Sequence, residues 1–294
     1  MKKSSARAIL DPVVASRIKR LDLRAKLVVE GFMVGHHRSP YHGFSVEFAE
    51  HRPYSPGDDI RWLDWRVLAR TERPYIRKFE EETNLRAYIV IDTSASMGYE
   101  NKLEYAKTLA AAFGYILFSQ RDAFGLMTFS DRIDNVLPPR TSDPHRRRFI
   151  ATLESLKPHG QTRPDVIFRA LAERMKKRGM VIFLSDFFGD VDGFVSGLKI
   201  LRRIGHEVIA FQIISRGEIE LHGKPAIYED METGKTLAFD PQSMGKTYRE
   251  ILDSFIENIR VSLRSGLVEY EFMDTSTPFD IAIMKFLRKR ERMK

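Results

Sequence analysis

The chain contains no cysteine among its 294 residues. The absence of thiols excludes a disulfide framework, a thiolate nucleophile and a metal site with cysteine ligands. A chain without cysteine fits a reducing compartment, and we expect a cytoplasmic location.

Long hydrophobic runs are also missing. The longest run, at residues 180–184, is the size of a strand, whereas a membrane-spanning helix requires about 18 apolar residues. The basic N-terminal sequence, MKKSSARAILDPVVAS, has neither a sustained apolar core nor a cleavage pattern. We therefore expect no signal peptide and no membrane span.

Charge is abundant, but its imbalance is mild. The formal net charge is +8, from 48 basic and 40 acidic residues. The tightest basic clusters, Arg146–Arg148 and Lys176–Arg178, each span one helical turn and are typical of solvated helix faces. A nucleic-acid-binding protein that uses the basic N-terminal half stays open as an alternative. Nucleic acid is nevertheless a disfavoured partner, because aromatic residues interleaved with basic ones are lacking.

Two regions of the chain differ in pattern. Residues 1–85 begin with a helix predicted over Leu10–Glu30 and are then rich in turns and short strand-like pieces. Residues 86–294 alternate apolar strands with helices, and a hairpin is predicted near 225–240 with its turn at Thr233-Gly234. This alternation predicts an α/β fold, a doubly wound and mostly parallel sheet, with the N-terminal extension packed on it.

Individual elements follow from the apolar spacing. LRAYIVID, GMVIFLSDF and HEVIAFQII predict buried parallel strands. IDNVLP predicts a hairpin partner or a short edge strand. Helical spacing predicts helices over Lys102–Ser119 and Lys246–Arg264, among others.

Oxygen-bearing side chains follow two of these strands. Asp92, Ser94 and Ser96 form the pattern D-x-S-x-S, and Asp186 ends FLSD. Thr162 precedes a predicted helix, and all three loops are expected at the carboxyl edge of the sheet. Carboxylates with small hydroxyls suit a hard dication, Mg²⁺, with Mn²⁺ or Ca²⁺ as alternatives. The sequence therefore predicts one metal site made of these five residues.

Simpler roles for the same residues stay open. Ser94 and Ser96 could satisfy backbone groups at the start of the next helix. Thr162, with Asp165 three residues later, matches a helix-capping pair. Asp186 could cap its own loop.

The combination of D-x-S-x-S with a later Thr162 and Asp186 resembles the metal-ion-dependent adhesion site of von Willebrand factor A domains. The segment GFSVEFAEHRPYSPGDDIRWLDWRVLARTERPYIRKFEEE resembles the signature of the bacterial domain-of-unknown-function family number fifty-eight, over nearly the whole chain. This resemblance implies a von Willebrand factor A-like fold and carries the five metal residues over. Members of that family are often encoded beside MoxR-type AAA+ ATPases, which implies such an ATPase as partner.

The N-terminal signature, YSPGDDIRWLDW, adds no complete chemical site. Trp62 and Trp65 offer apolar area with a polar N–H, and a structural subdomain packed on the sheet is favoured over a partner-binding surface. The pair Asp58-Asp59 lacks what an acid–base site would need, and the spacing of the N-terminal histidines matches no zinc motif.

These features predict a metal-dependent protein–protein interaction or adaptor protein rather than an enzyme. A metal-dependent hydrolase would need a base beside the metal, and none of the five residues is spare for it. The pattern G-x-x-x-x-G-K-[ST] is missing, which argues against nucleotide hydrolysis. The metal is expected to bridge to a carboxylate supplied by the partner protein.

Overall fold

The computed structural model describes residues 11–36, 51–54, 68–70, 73–77, 85–221 and 224–291. Within these residues the strands are β1 (His51–Pro53), β2 (Tyr75–Arg77), β3 (Arg86–Asp92), β4 (Ala123–Phe129), β5 (Ile133–Arg140), β6 (Met180–Ser185), β7 (Glu207–Ile214), β8 (Ala226–Glu229), β9 (Thr236–Phe239) and β10 (Glu269–Asp274). The principal helices are α1 (Pro12–Ser16), α2 (Leu21–His36), α3 (Lys102–Ser119), α4 (Asp143–Ser155), α5 (Pro164–Arg174), α6 (Val191–Arg203), α7 (Arg216–Ile219), α8 (Pro241–Ser265) and α9 (Phe279–Glu291).

Six strands form the central sheet, in the order β10-β7-β6-β3-β4-β5. β10, β7, β6, β3 and β4 run parallel to their neighbours, and β5 pairs antiparallel with β4 at the edge. IDNVLP is therefore both the hairpin partner and the edge strand. The predicted α/β class, with a doubly wound and mostly parallel sheet, is confirmed.

Both faces of the sheet are covered, because successive side chains of each strand point to opposite faces. Ile89 and Ile91 of β3 face one hydrophobic cluster, which includes residues of α2, α3 and α9. Tyr88 and Val90 face a second cluster, built with residues of α5, α6 and α8. Strands that are buried on both faces have continuous apolar sequences, which explains why they could be predicted from the sequence.

The N-terminal helical segment consists of two helices, so the single helix predicted over Leu10–Glu30 is wrong. α1 begins after Asp11, whose carboxylate accepts hydrogen bonds from the amides of Val13 and Val14. The chain then bends, and the guanidinium of Arg24 donates to the carbonyl of Ile18. Apolar residues of α2 are buried in the same cluster as α3.

Several N-terminal predictions fall outside the described residues. These include Asp58, Asp59, Trp62 and Trp65, together with most of YSPGDDIRWLDW. The division of the chain at residue 85 likewise stays a prediction.

β8 and β9 form an antiparallel hairpin that is separate from the central sheet. Its turn is held by the carboxylate of Asp230, which accepts hydrogen bonds from the amides of Glu232 and Thr233. Gly234 has a φ of +69°, a conformation that glycine adopts without steric cost. The turn therefore presents residues 231–233 at the tip.

α8 begins at Pro241 rather than at the predicted Lys246. Asp240 caps it by accepting a hydrogen bond from the amide of Gln242. The first turn is largely exposed, with Met244 41% accessible, so it carries no apolar periodicity that sequence reasoning could detect. Across the described ranges, none of the helices combines the length and the apolar character that a bilayer crossing requires.

Candidate metal centre

Asp92 ends β3 and lies beside the end of β6. The two strands are parallel neighbours, with Ile91 paired to Leu184, so their carboxyl ends meet at one edge of the sheet. Asp92 is completely buried. Its Oδ1 accepts a hydrogen bond from the amide of Ser94 at 2.9 Å, and its Oδ2 accepts one from Ser185 Oγ at 2.7 Å.

The two serines of D-x-S-x-S lie side by side, with their Oγ atoms 3.1 Å apart. Ser94 precedes a short 3-10 helix at Ala95–Gly98, but its side chain makes no capping hydrogen bond to that helix. The capping role considered for Ser94 is therefore wrong. Its hydroxyl lies instead within hydrogen-bond distance of the hydroxyl of Ser96, which belongs to the 3-10 helix.

The loop that carries Thr162 is tied to the D-x-S-x-S loop by backbone hydrogen bonds. The amide of Ala95 donates to the carbonyl of Gly160 at 3.0 Å, and the amide of His159 donates to the carbonyl of Thr93 at 2.8 Å. These bonds bring the two loops together at the same sheet edge.

Thr162 also faces the loop that follows β6. A Cβ placed on Gly189 would lie 3.7 Å from Cβ of Thr162. The helix-capping role considered for Thr162 is wrong, because the capping position of α5 belongs to Arg163. The Thr162 hydroxyl donates instead to Glu232 Oε1 at 2.8 Å.

Asp186 follows β6 and is fully buried. Its Oδ1 accepts a hydrogen bond from the amide of Phe188 at 3.0 Å, so it does cap its own loop. Its Oδ2 accepts a hydrogen bond from Nζ of Lys102 at 2.8 Å. Asp186 therefore both caps its own loop and forms an ion pair with Lys102, which the sequence did not indicate.

Lys102, at the first turn of α3, is a buried cation between two carboxylates. Its Nζ also donates to Glu218 Oε1 at 2.6 Å and lies 4.8 Å from the centre of the Phe188 ring. Burial opposes the charged form of Lys102, but Asp186 and Glu218 outweigh burial and raise its pKa. Burial also raises the pKa of Glu218, and the nearby ammonium only partly offsets this effect.

The charges at this sheet edge are not balanced by the chain. Burial, and secondly the proximity of Asp186, raise the pKa of Asp92 to about 7. Asp92, Asp186 and Glu218 contribute three negative charges when ionised, and Lys102 contributes one positive charge. These groups leave an excess of negative charge when ionised, and the carboxylate of Glu232, bonded to Thr162, adds to it. A bound dication would offset part of this excess; buried charges need such compensation.

The donor set fits a hard divalent cation. It comprises carboxylates and hydroxyls, the oxygen ligands that Mg²⁺ prefers. Among the residues that the structure describes, no three or more His, Cys, Asp or Glu side chains are grouped to hold a metal. The predicted site differs from such clusters, since it combines two aspartates with three hydroxyls. The structure thus gathers the loops of all five predicted residues at one sheet edge.

Sequence reasoning missed four polar residues at this edge: Lys102, Ser185, Glu218 and Glu232. One local signal was present, because Ser215 and Glu218 form a capping box at α7 that fixes Glu218. The contacts of Lys102 and Glu232 join segments far apart in the sequence, and no spacing rule indicates them.

The comparisons with known proteins give a family. The family described as "Protein of unknown function DUF58" matches residues 50–254. Uncharacterized protein Mb1516 of Mycobacterium bovis is 30% identical over 244 residues, covering 79% of this chain and 75% of that protein.

Two solved structures show partial similarity. BatB from Bacteroides thetaiotaomicron is 18% identical, with 71% of this chain and 99% of that chain covered and a TM-score of 0.48. The SpRpn10 VWA domain is 14% identical, with 68% and 93% covered and a TM-score of 0.39. The family match spans more than half of the chain, and the chain therefore belongs to the DUF58 family.

Proposed function

We propose that the protein is a metal-dependent protein-interaction module whose metal binds a carboxylate of a partner protein. Asp92, Ser94, Ser96, Thr162 and Asp186 would hold one Mg²⁺, with Mn²⁺ as a substitute. When bound, the ion supplies an electrostatic attachment point for an anionic oxygen.

One observation carries this proposal: the buried carboxylate of Asp92. In the described part of the chain it is held by an amide and a hydroxyl, with no ion pair. An aspartate that serves only the fold gains little from such burial, because desolvation penalises its charged form. A cation bound beside it would offset that penalty.

The ligand count leaves room for a partner. Magnesium takes about six oxygen ligands, and the five predicted residues supply fewer than that. Asp186 already shares one oxygen with Lys102, which weakens its hold on an ion. An open position therefore stays available to an outside oxygen, and a carboxylate gains most from the dication.

The partner that we propose is a MoxR-type AAA+ ATPase, as the family resemblance implies. The chain would then act as an adaptor that presents its metal edge to an acidic residue of the ATPase.

Two measurements test the proposal. Titration calorimetry with Mn²⁺ should detect one site in the wild-type chain and no binding in Asp92→Asn. Asp190→Asn is the matched control, because Asp190 lies on the loop after β6 but caps α6 through the amide of Gly193, a role that asparagine also fills. Unchanged Mn²⁺ affinity in Asp92→Asn would refute the metal site.

The second measurement concerns the partner. The MoxR-type ATPase of the source organism should be retained on the immobilised chain in Mg²⁺ and released by EDTA. Retention in excess EDTA would show that the metal is irrelevant to the complex.

A further inference from the structure

The tip of the β8–β9 hairpin is seated on the candidate metal site through Glu232. The Thr162 hydroxyl donates to Glu232 Oε1 at 2.8 Å, and the Thr162 amide donates to Oε2 at 3.0 Å. The side-chain amide of Gln161 donates to the carbonyl of Glu232 at 3.0 Å. Three bonds thus converge on one hairpin residue.

The hairpin turn is shaped to present this carboxylate. Glu232 is half-buried, whereas its neighbours Met231 and Thr233 are exposed. Met231 approaches the D-x-S-x-S loop, since a Cβ on Gly98 would lie 3.6 Å from its Cε. The tip therefore contacts the loop that carries Thr162 and lies beside the 3-10 helix that follows Ser94.

We propose that Glu232 is an internal carboxylate that occupies the position reserved for the partner's carboxylate. The inference rests on the proposed function. Both oxygens of Glu232 accept hydrogen bonds from Thr162, a predicted metal residue, so an acidic side chain is already accommodated at this position. With the ion bound, Glu232 closes the site, and a partner has to displace it.

The two strands of the hairpin are largely exposed, so little buried surface opposes its displacement. A two-stranded hairpin is marginal on its own, and Ile227 and Leu237 are 75% and 62% exposed. A cavity of about 530 Å³ lies between the tip, Tyr99, Phe188 and α8. This pocket is open to solvent, so it leaves space beside the hairpin tip.

This arrangement favours a partner protein that presents an acidic side chain. Its acidic side chain would replace Glu232 on Thr162, and the binding free energy would have to exceed the cost of lifting the hairpin. A ligand shifts such an equilibrium only by its differential affinity for the open state. Free carboxylates should therefore bind weakly to the wild type.

The test uses the full chain with Mn²⁺ and compares Glu232→Gln with Glu229→Gln. Glu229 is exposed on the same hairpin and serves as the matched control. We expect Glu232→Gln to weaken Mn²⁺ binding roughly tenfold, as loss of a supporting ligand does. The water-proton relaxation rate per bound Mn²⁺ should rise, because water replaces the carboxylate. Acetate should lower this rate in Glu232→Gln and leave the wild type unchanged.

A second measurement needs no paramagnetic ion. Mg²⁺ should slow amide hydrogen exchange in residues 226–239 of the wild type and of Glu229→Gln, but not of Glu232→Gln. If Glu232→Gln binds Mn²⁺ as tightly as the wild type does, with the same relaxation rate and the same hydrogen exchange, then Glu232 is not an internal ligand. The proposed function would still stand in that case. If the wild type binds no Mn²⁺, the metal site fails, and the internal ligand fails with it.

Discussion

The ammonium nitrogen of Lys102 lies 2.8 Å from Oδ2 of Asp186, and neither side chain is accessible to solvent. The same nitrogen contacts Glu218 at 2.6 Å. Lys102 therefore pairs with carboxylates from two loops, one after β6 and one at α7. Breaking a buried ion pair by removing one partner leaves the other charge uncompensated.

Lys102→Met should therefore destabilise the metal-free protein by about 3–5 kcal/mol, because Asp186 and Glu218 would lose their shared cation. Urea denaturation in EDTA would measure this free energy of unfolding. Lys107→Met is the control, since Lys107 is a buried lysine on the same helix whose partner Glu104 is 54% exposed and also pairs with Arg24. Its pair is expected to contribute within about 1 kcal/mol. Equal losses in both variants would contradict a special role for Lys102.

Helix α3 approaches α4 closely at Gly114. A Cβ at this position would lie 2.8 Å from Cε1 of Phe149, which is itself fully buried. Gly114→Ala should therefore lower the free energy of unfolding by about 1–3 kcal/mol through overpacking.

Gly245 provides the opposite case for the same substitution. It lies in α8, and a Cβ there would meet nothing within 4 Å. Gly245→Ala should stabilise the protein by about 0.5–1 kcal/mol, because alanine favours helix. Thermal denaturation of Gly114→Ala and Gly245→Ala would test both predictions. A loss of stability in Gly245→Ala would contradict the prediction that a Cβ at this position meets no neighbouring atom.

Most of the fold was predictable because the decisive patterns are local. β3, β6 and β7 are continuous apolar runs, and each ends at a polar loop. The parallel topology then places Asp92 and Asp186 at one edge without further information. The start of α8 was missed because its exposed first turn has no apolar stripe, although Asp240 and Pro241 form a local signal for a helix start.

The surroundings of the site could not be predicted for a different reason. Lys102 meets Asp186 across 84 residues, and Thr162 meets Glu232 across 70 residues. Such contacts depend on how elements dock, not on spacing within one element. A lysine at the start of an amphipathic helix is ordinarily a solvated charge, so its burial was visible only in the structure.

The imidazole of His145 gives the protein a dependence on pH that is remote from the metal site. Its Nε2 lies 2.7 Å from the carbonyl oxygen of Phe124. Burial lowers the pKa of His145, and Arg140 and Arg148 lower it further, while the carbonyl only partly opposes them. The unfolded chain therefore binds a proton at a higher pH than the folded protein does.

Stability should accordingly fall as the pH drops below about 6.5, by at most about 1.4 kcal/mol per pH unit from this group. Above that pH the imidazole is neutral in both states, and its contribution is constant. The free energy of unfolding of His145→Gln relative to that of the wild type should therefore rise as the pH falls from 7 to 5 (roughly the titration range of histidine), as urea denaturation at each pH would show. If the difference in free energy of unfolding between His145→Gln and the wild type does not change with pH, the titration of His145 contributes nothing to the stability.

The hydroxyl of Thr162 is expected to serve the metal and the hairpin rather than the stability of the fold. Thr162→Val preserves the side-chain shape and the amide bond to Glu232 but removes the hydroxyl. Loss of one hydrogen bond should change the free energy of unfolding by no more than about 1.5 kcal/mol. The affinity for Mn²⁺, in contrast, should fall roughly tenfold or more, as metal affinity does when a residue that holds or orients the ligands is lost.

Thr152→Val is the matched control, because Thr152 donates only to the Arg148 carbonyl on the exposed face of α4. Its Mn²⁺ affinity should equal that of the wild type. The double variant Thr162→Val with Glu232→Gln adds a sharper test, since residues in contact are not additive. If the two side chains act through one shared position, the double variant should lose less Mn²⁺ affinity than the two single losses combined. Full additivity would mean that Glu232 and Thr162 contribute to the metal site independently.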